Sequence, residues 1–405
     1  MGTGARAQQS STDAGQTTTT VTRHAPEVPQ DTVTLTLSLS GTTADLDHGI
    51  ESIESTEPAA DLGGTLAYHH RGRRITTDLD GQSVVRRIYD TITPMGQQGR
   101  FSLAGIGARQ QFHSSQSVSY TPSYLFGVLT STTMTPELEA AASHGDLGNA
   151  YVSALALNSD LDWNWTLSRK VALEASYDVR RTTFERPGLD LFTQDIGGRL
   201  MRRLSRSVSL RGGYTYRIAT SALSVGEPLR ISEIAAGFDV RQPLSKGTTL
   251  TFQTGSSVVP SGRGQAFYLT GDAVLTHQMG RTWSTRIGVN RGVRLLEGIA
   301  LPVLDNSFNA TLAGNLQRHV TLSFSGSLST GTVGMAAAAE NGYRNFATSS
   351  GLGFLLGRRV VLDAQYFWIG DRFERGVALP PELANNLQRR GVRVNLTWRL
   401  PLVRN

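Results

Sequence analysis

The feature that most constrains this chain is a strict alternation of apolar and polar side chains, clearest in residues 155–179. In the first half of that stretch the odd positions are apolar except for Ser159 and the even ones polar except for Ala156, so Asn164 lies between Trp163 and Trp165. After residues 168–170 the alternation resumes. Successive side chains of a strand point to opposite faces, so a period of two predicts strands with one apolar and one wet face.

The three-residue gap preserves the parity of the two halves and therefore predicts a β-hairpin with a fixed register. In that register Trp165 lies opposite Leu173 on the apolar face, and Asp160 lies opposite Asp178 on the wet face. Two facing carboxylates are unfavourable. Arg180, diagonal to Asp160, is placed to offset their repulsion.

The same alternation recurs along most of the sequence and predicts about 18 strands. They are expected near 33–40, 62–71, 73–88, 100–112, 114–127, 150–167, 171–184, 189–204, 208–222, 230–243, 247–259, 264–277, 281–296, 304–316, 320–332, 344–356, 360–373 and 387–401. Pro122 cannot donate to a ladder, so the strand that contains it should end early or bulge. Polar stretches are expected at 41–61 and 128–149, the second with a helix-like run at 136–143.

The predicted connections are of two kinds, and these alternate along the chain. The short ones have three residues with arginine in the middle: 168–170, 205–207, 317–319 and 357–359. The long ones are 89–99, 128–149, 223–229, 297–303, 333–343 and 374–386. Short periplasmic turns and longer extracellular loops are typical of an outer-membrane barrel, in which an even strand count places both termini on the short-turn side.

The pattern favours lipid over a soluble β-sandwich. The predicted strands exceed the roughly 5–6 residues of a globular sheet, and all five tryptophans fall on the apolar face. A span through hydrocarbon must be closed, because open edges would leave hydrogen bonds unmet. No run of 18 apolar residues exists, which excludes membrane-spanning helices. Arg202 and Arg291 also fall on the lipid face, where a midplane arginine costs about 2–4 kcal/mol.

The predicted domain organisation is a disordered N-terminal segment, 1–30, followed by a single barrel domain, 31–405. The segment is rich in Thr, Ser and Gln and has too little apolar content to fold. Residues 1–7 end in an A-x-A sequence, which is interpreted either as a signal-peptide remnant or as a coincidence, since no apolar region precedes it.

The repeated strand–turn pattern and the C-terminal run from Arg389 to Leu402 resemble the β-barrel porins of Gram-negative bacteria, some of which are linked to exopolysaccharide systems. The resemblance implies an outer-membrane location, a lipid environment and insertion by the outer-membrane assembly machinery. It departs from the family's pattern at the terminus, which ends Leu-Val-Arg-Asn instead of on an aromatic residue.

No enzyme, cofactor or metal site is predicted. The glycine-rich run 351–357 ends a strand and has no helix after it, as a dinucleotide site would require. His69 and His70 fall on opposite faces of one strand and cannot share a metal. Cysteine is absent. The net charge of +6 is assigned to an arginine-rich composition and not to a nucleic-acid site.

The sequence therefore predicts an all-β, transmembrane, antiparallel up-and-down barrel. Its wide lumen should hold water and pass polar solutes passively. The predicted pore-lining residues are Asp160, Asp162, Glu174, Asp178, Arg180, Arg211, Arg217, Glu233, Asp239, Arg241, Asp272, Arg286, Arg294, Asp363, Arg393 and Arg399. The alternative is a barrel plugged by loop 128–149 that serves polysaccharide export or envelope docking. The sequence leaves the solute and the oligomeric state open.

Overall fold

A computed structural model describes most of the chain. The described residues are 30–47, 57–88, 91–122, 152–185, 190–221, 228–261, 264–296, 301–333, 341–374, 376–377 and 386–404. The predicted plug 128–149, with its helix-like run 136–143, lies outside them, as do residues 1–29. Within the described ranges no helix is long and apolar enough to cross a bilayer.

Eighteen β-strands account for nearly all of the described residues. They are β1 (Gln30–Asp47), β2 (Glu57–Arg71), β3 (Ile75–Ile88), β4 (Thr91–Ile106), β5 (Gln110–Thr121), β6 (Ala154–Thr166), β7 (Val171–Phe184), β8 (Leu191–Arg203), β9 (Val208–Ser221), β10 (Leu229–Ser245), β11 (Thr248–Ser261), β12 (Gly264–Met279), β13 (Trp283–Leu296), β14 (Leu301–Gln317), β15 (Val320–Val333), β16 (Gly342–Leu355), β17 (Val360–Phe373) and β18 (Asn386–Arg404).

The sheet closes on itself, which confirms the predicted fold class. Each strand pairs antiparallel with its neighbours in sequence. The first and last strands also pair, from Thr32 opposite Arg404 to Asp47 opposite Gln388. Closure removes both outer edges of the sheet, so most backbone hydrogen bonds of the strands are made within the barrel wall. The β10–β11 ladder is the exception, since it runs only from Asp239 opposite Gln253 to Ser245 opposite Thr248.

The two ends of the barrel differ as predicted in most of their connections, although β3–β4 and β11–β12 are joined by only two residues each, 89–90 and 262–263. Short connections join β2–β3, β4–β5, β6–β7, β8–β9, β10–β11, β12–β13, β14–β15 and β16–β17, and the described ends of β1 and β18 lie on the same side. The turn after β12 contains Gly280 with φ = 66°, a left-handed conformation that glycine adopts without strain. The remaining connections lie at the opposite end, called here the long-loop end.

The predictions for the first third of the chain need correction. The predicted strands 100–112 and 114–127 are wrong, because the turn comes earlier: the Gly107 N–H donates to the Gln110 carbonyl at 2.7 Å. The predicted long connection 89–99 lies mostly within β4, and the polar stretch 41–61 is largely strand. Alternation was weak here because small and polar residues occupy both faces. β5 does end at Thr121, directly before Pro122.

The two faces of the wall are chemically opposite. The outward face exposes large apolar side chains, among them Leu157 (45% exposed) and Trp163 (43%). The rings of Trp163 and Trp165 stack with centroids 6.0 Å apart. By ladder parity all five tryptophans lie on this face. Polar residues such as Ser329 and Asn345 are instead buried on the inner face. This arrangement is the reverse of that in a soluble protein.

Candidate functional site: the inner face of the barrel

The ladder register places all sixteen predicted pore-lining positions on the inner face. On β7, for example, Glu174 and Asp178 alternate with the outward Tyr177. Partner positions repeat this parity from strand to strand around the barrel. For Arg294 only the backbone position is described, opposite Val303.

The row that begins at Asp160 brings three carboxylates together. Asp160 lies opposite Asp178, as the hairpin register predicts, and Asp178 lies opposite Asp195 on β8. The Arg217 guanidinium binds both carboxylate oxygens of Asp195, with N–O distances of 2.6–2.9 Å. His113 Nε2 approaches Asp160 at 4.0 Å. The row therefore has an acidic centre, with the Arg217 guanidinium at its β9 end and the His113 imidazole beside Asp160.

Two side chains contact Glu174, which lies toward the short-turn end of the same strands. Arg199 on β8 lies 3.6 Å from its carboxylate, and Asn164 on β6 donates to it at 3.4 Å. Asp162 lies two residues from Asn164 and opposite His113. Acidic and basic side chains are thus interleaved along β5 to β8.

Arg211 reaches across a neighbouring strand. It lies opposite Gly237 on β10, where no side chain obstructs it. Its Nη2 donates to the Thr254 carbonyl on β11 at 2.9 Å, and its Nη1 lies 3.4 Å from Asp239 and donates to Gln253. This hub links three strands at the point where the β10–β11 ladder stops, at Asp239 opposite Gln253.

The other predicted residues lie further around the inner face. Glu233 accepts a hydrogen bond from Ser257 Oγ at 2.5 Å. The rest are best located by their ladder partners: Arg180 opposite Asn158, Arg241 opposite Thr251, Asp272 opposite Gln253, Arg286 opposite Thr311, Asp363 opposite Asn395, Arg393 opposite Thr42 and Arg399 opposite Thr36. They do not converge on one point but are distributed around the wall.

Sequence reasoning missed a deeply buried ion pair between β2 and β3. Arg86 on β3 donates Nε to Asp61 Oδ1 at 2.6 Å and Nη2 to Oδ2 at 2.8 Å, and their side chains are 6% and 1% exposed. Ser40 Oγ also donates to Asp61, at 3.5 Å. Asp61 was assigned to the end of a polar stretch, so its parity was not followed. The even positions of β3 are mostly polar and include Asp78 and Arg86. This alternation is the feature of the sequence that places Arg86 on the inner face.

The inner face of β14–β16 differs from the charged wall across the barrel. It is lined by small hydroxyl side chains, of which Ser325, Ser327 and Ser329 are 5% exposed or less. Ser329 Oγ donates to Asp305 at 2.6 Å, and the Tyr343 hydroxyl bonds the same carboxylate. The buried carboxylate thus accepts hydrogen bonds from two hydroxyl groups.

Apolar inner-face residues cluster near the long-loop end of β14–β17. Val303 lies opposite Val333, and Tyr343 lies opposite Phe373. These four side chains are at most 4% exposed, although their register directs them inward. Solvent is excluded from this cluster.

In the described ranges no three His, Asp or Glu side chains are grouped so as to hold a metal ion. His69 and His70 lie on opposite faces, bound to Asp78 at 2.8 Å and Asp31 at 2.6 Å respectively. What the inner face offers a solute is a wall of alternating charges and hydroxyls.

Comparison with known proteins adds similarity in architecture only. No protein-family model matches the chain, and no curated protein matches it. Among solved structures, Pseudomonas aeruginosa OpdL has a TM-score of 0.46 and 12% identity, covering 92% of this chain and 99% of its own. Pseudomonas aeruginosa OccK5 (OpdH) has a TM-score of 0.47 and 10% identity, covering 92% of this chain and 98% of its own. Acinetobacter baumannii OccAB4 has a TM-score of 0.46 and 11% identity, covering 91% of this chain and 98% of its own. TM-scores and sequence identities as low as these support no inference about function.

Proposed function

We propose that this chain is a channel of a Gram-negative outer membrane that passes polar solutes passively through a water-filled lumen. The observation that supports this most strongly is the division of one closed wall into two faces. Outward positions such as Leu157 and Trp398 are apolar and exposed, while inward positions carry Asp, Glu, Arg and Ser. Only a barrel with lipid outside and a polar interior satisfies both faces.

The proposed orientation follows from the connections. In outer-membrane barrels short turns face the periplasm and longer loops face outward, so the termini lie on the periplasmic side. Outer-membrane lipid is then the direct partner of the apolar face. The assembly machinery is a second proposed partner, which would read β18 with its outward Val394, Leu396 and Trp398.

The class of solute follows from the inner-face charges. Acidic groups such as Asp160 and Glu233 alternate around the wall with arginines such as Arg199 and Arg217. A lumen lined by charges of both signs attracts neither small anions nor small cations strongly. Hydroxyl groups on β14–β16 add neutral hydrogen-bonding partners. The proposed solutes are therefore small polar molecules, saccharides included, and ions of either sign.

Conductance tests the proposal. The purified, refolded full chain is added to planar lipid bilayers, and in parallel to liposomes in iso-osmotic sugar solutions. Discrete current steps and sugar-dependent swelling are expected, and heat-denatured protein provides the control. A folded barrel that gives neither current nor swelling would not be a channel.

The buried inner apolar cluster of Val303, Val333, Tyr343 and Phe373 favours a plugged barrel as the second candidate. In that case the chain would act as a plugged component of envelope export or docking, as the predicted plug 128–149 suggests. Deleting 128–149 should then raise the conductance sharply, whereas in an open pore it should change little. The link to exopolysaccharide systems stays a prediction from the resemblance.

A further inference from the structure

The outward face carries two arginines that lie directly opposite each other. Arg344, the third residue of β16, is the ladder partner of Arg372, the penultimate residue of β17. Both side chains are exposed. They share the outward parity of Phe346 and Trp368 and lie near the long-loop end. An arginine pair on a membrane-facing surface needs a physical reason.

The pair is unfavourable as it stands. Cβ atoms of directly opposed residues are about 4.5–5.5 Å apart, and like charges in that position destabilise a sheet. Among the described residues neither arginine forms an ion pair, and the nearby Glu374 carboxylate instead accepts a hydrogen bond from the Gly342 N–H at 3.2 Å. The repulsion between the two guanidinium groups is therefore not offset within the described wall.

Polar residues occupy the ladder-partner positions of the two arginines on the neighbouring strands. Thr330 lies opposite Arg344, and Asn386 lies opposite Arg372. Asn306, opposite Thr330, accepts a hydrogen bond from Arg291 at 3.0 Å, and Arg291 also donates to the Leu269 carbonyl at 3.1 Å. We call Asn306, Thr330, Arg344, Arg372 and Asn386 the arginine row.

The next outward row toward the short-turn end is apolar. It consists of Phe308, Leu328, Phe346 and Gly370, each opposite the next. The rings of Phe346 and Trp368 meet edge to face with centroids 4.7 Å apart. Aromatic side chains of this kind mark the boundary between acyl chains and headgroups. The arginine row therefore lies where lipid headgroups begin.

We propose that Arg344 and Arg372 bind the phosphate group of a lipid headgroup in the leaflet at the long-loop end. Two guanidinium groups on one oxyanion form charge-assisted, multidentate hydrogen bonds. The phosphate would neutralise the repulsion between them, the lipid's acyl chains would lie along Phe346 and Trp368, and Thr330 and Asn386 would add hydrogen bonds. The assignment of the leaflet depends on the membrane orientation proposed above.

Lipid binding by the detergent-solubilised full chain tests this site. The protein is incubated with bisphosphorylated lipid A or with its dephosphorylated form, and bound lipid is counted by native mass spectrometry. The unaltered chain should prefer the phosphorylated form, and R344Q/R372Q should reduce its binding at least about tenfold, equal to 1.4 kcal/mol. R202Q is the matched control, because Arg202 is an exposed outward arginine at the short-turn end.

A charge reversal separates binding from folding. R344E creates an opposite-charge pair with Arg372, so the barrel should unfold at a higher temperature in phosphate-free detergent while losing its preference for phosphorylated lipid A. Equal lipid binding by R344Q/R372Q and the unaltered chain, or retained binding in R344E, would show that the site is wrong. Displacement of the lipid by an equal concentration of inorganic phosphate would show a free-phosphate site and overturn the lipid assignment.

The same preparations distinguish the two proposals. A chain that conducts but shows no dependence on lipid phosphate lacks this site and is still a channel. A chain that binds the phosphorylated lipid through Arg344 and Arg372 but never conducts keeps the site and is not a channel.

Discussion

The Asp61–Arg86 pair shows how single residues stabilise the inner wall. The carboxylate accepts two hydrogen bonds from one guanidinium, at 2.6 and 2.8 Å, and both side chains are almost fully buried. Removing one member of a buried pair leaves an uncompensated charge in a region of low dielectric. By contrast, Glu174 and Arg199 are 26% and 37% exposed at 3.6 Å, and water screens them.

Neutralising each acid should therefore have different consequences. D61N should lower the free energy of unfolding by about 3–5 kcal/mol, because the buried Arg86 guanidinium loses the carboxylate charge that accepts its two hydrogen bonds. E174Q should lower it by less than about 1 kcal/mol, because that pair is partly solvated. Urea titration of the refolded barrel in lipid vesicles, followed by tryptophan fluorescence, measures both. Equal effects from the two substitutions would refute this account of the inner wall.

At the scale of strands, the β10–β11 seam departs most from a regular ladder. Ladder pairing ends at Asp239 opposite Gln253. Beyond this pair the Phe238 N–H donates to Thr254 Oγ1 at 3.0 Å, and the Arg211 guanidinium donates to the Thr254 carbonyl. The strands approach so closely that a Cβ on Gly237 would overlap the Thr254 carbonyl oxygen. A glycine is therefore required at position 237.

G237A should weaken this seam and lower the temperature at which the barrel unfolds. The added methyl group must push β11 away and break the Arg211–Thr254 contact. G198A in β8 is the matched control, since nothing lies within 4 Å of its added Cβ. The temperature at which the compact band is lost on semi-native SDS gels compares the two variants. A G237A barrel as heat-resistant as G198A would contradict the close approach described here.

The strands were predictable wherever alternation was strict. The bounds of β7 and β17 agree with the predicted ones, and the β6–β7 register, with Trp165 opposite Leu173, is as predicted. Alternation fixes parity, and parity determines which face a side chain occupies. The bounds of β4 and β5 were misplaced and β1 was predicted too short, because small residues make the two faces similar, whereas β2 and β3 end where predicted. Contacts that cross strands, such as Arg211 with Thr254, were not predictable, since they depend on side-chain reach and on a local break in the ladder.

For the whole molecule, the mixture of charges on the inner face determines ionic preference. Asp160, Asp162 and Asp178 form an acidic region, and Arg199, Arg211 and Arg217 lie on the next strands. The unaltered channel should pass K⁺ and Cl⁻ with similar permeability, so its reversal potential in a KCl gradient should lie near zero. D160N/D162N/D178N should move the reversal potential toward that of Cl⁻. A shift in the opposite direction would show that these carboxylates do not face the conducting path.

The central claim is that the polar face of the wall lines a conducting, water-filled lumen and the apolar face contacts lipid. The chain has no cysteine, so single cysteines can be introduced without background. D178C and Y177C place a thiol on adjacent residues of β7 that point to opposite faces. Single-channel current is recorded before and after adding a bulky, membrane-impermeant thiol reagent. The account predicts that the reagent reduces the current through D178C and leaves that through Y177C unchanged; block of Y177C alone, or of both equally, would contradict it.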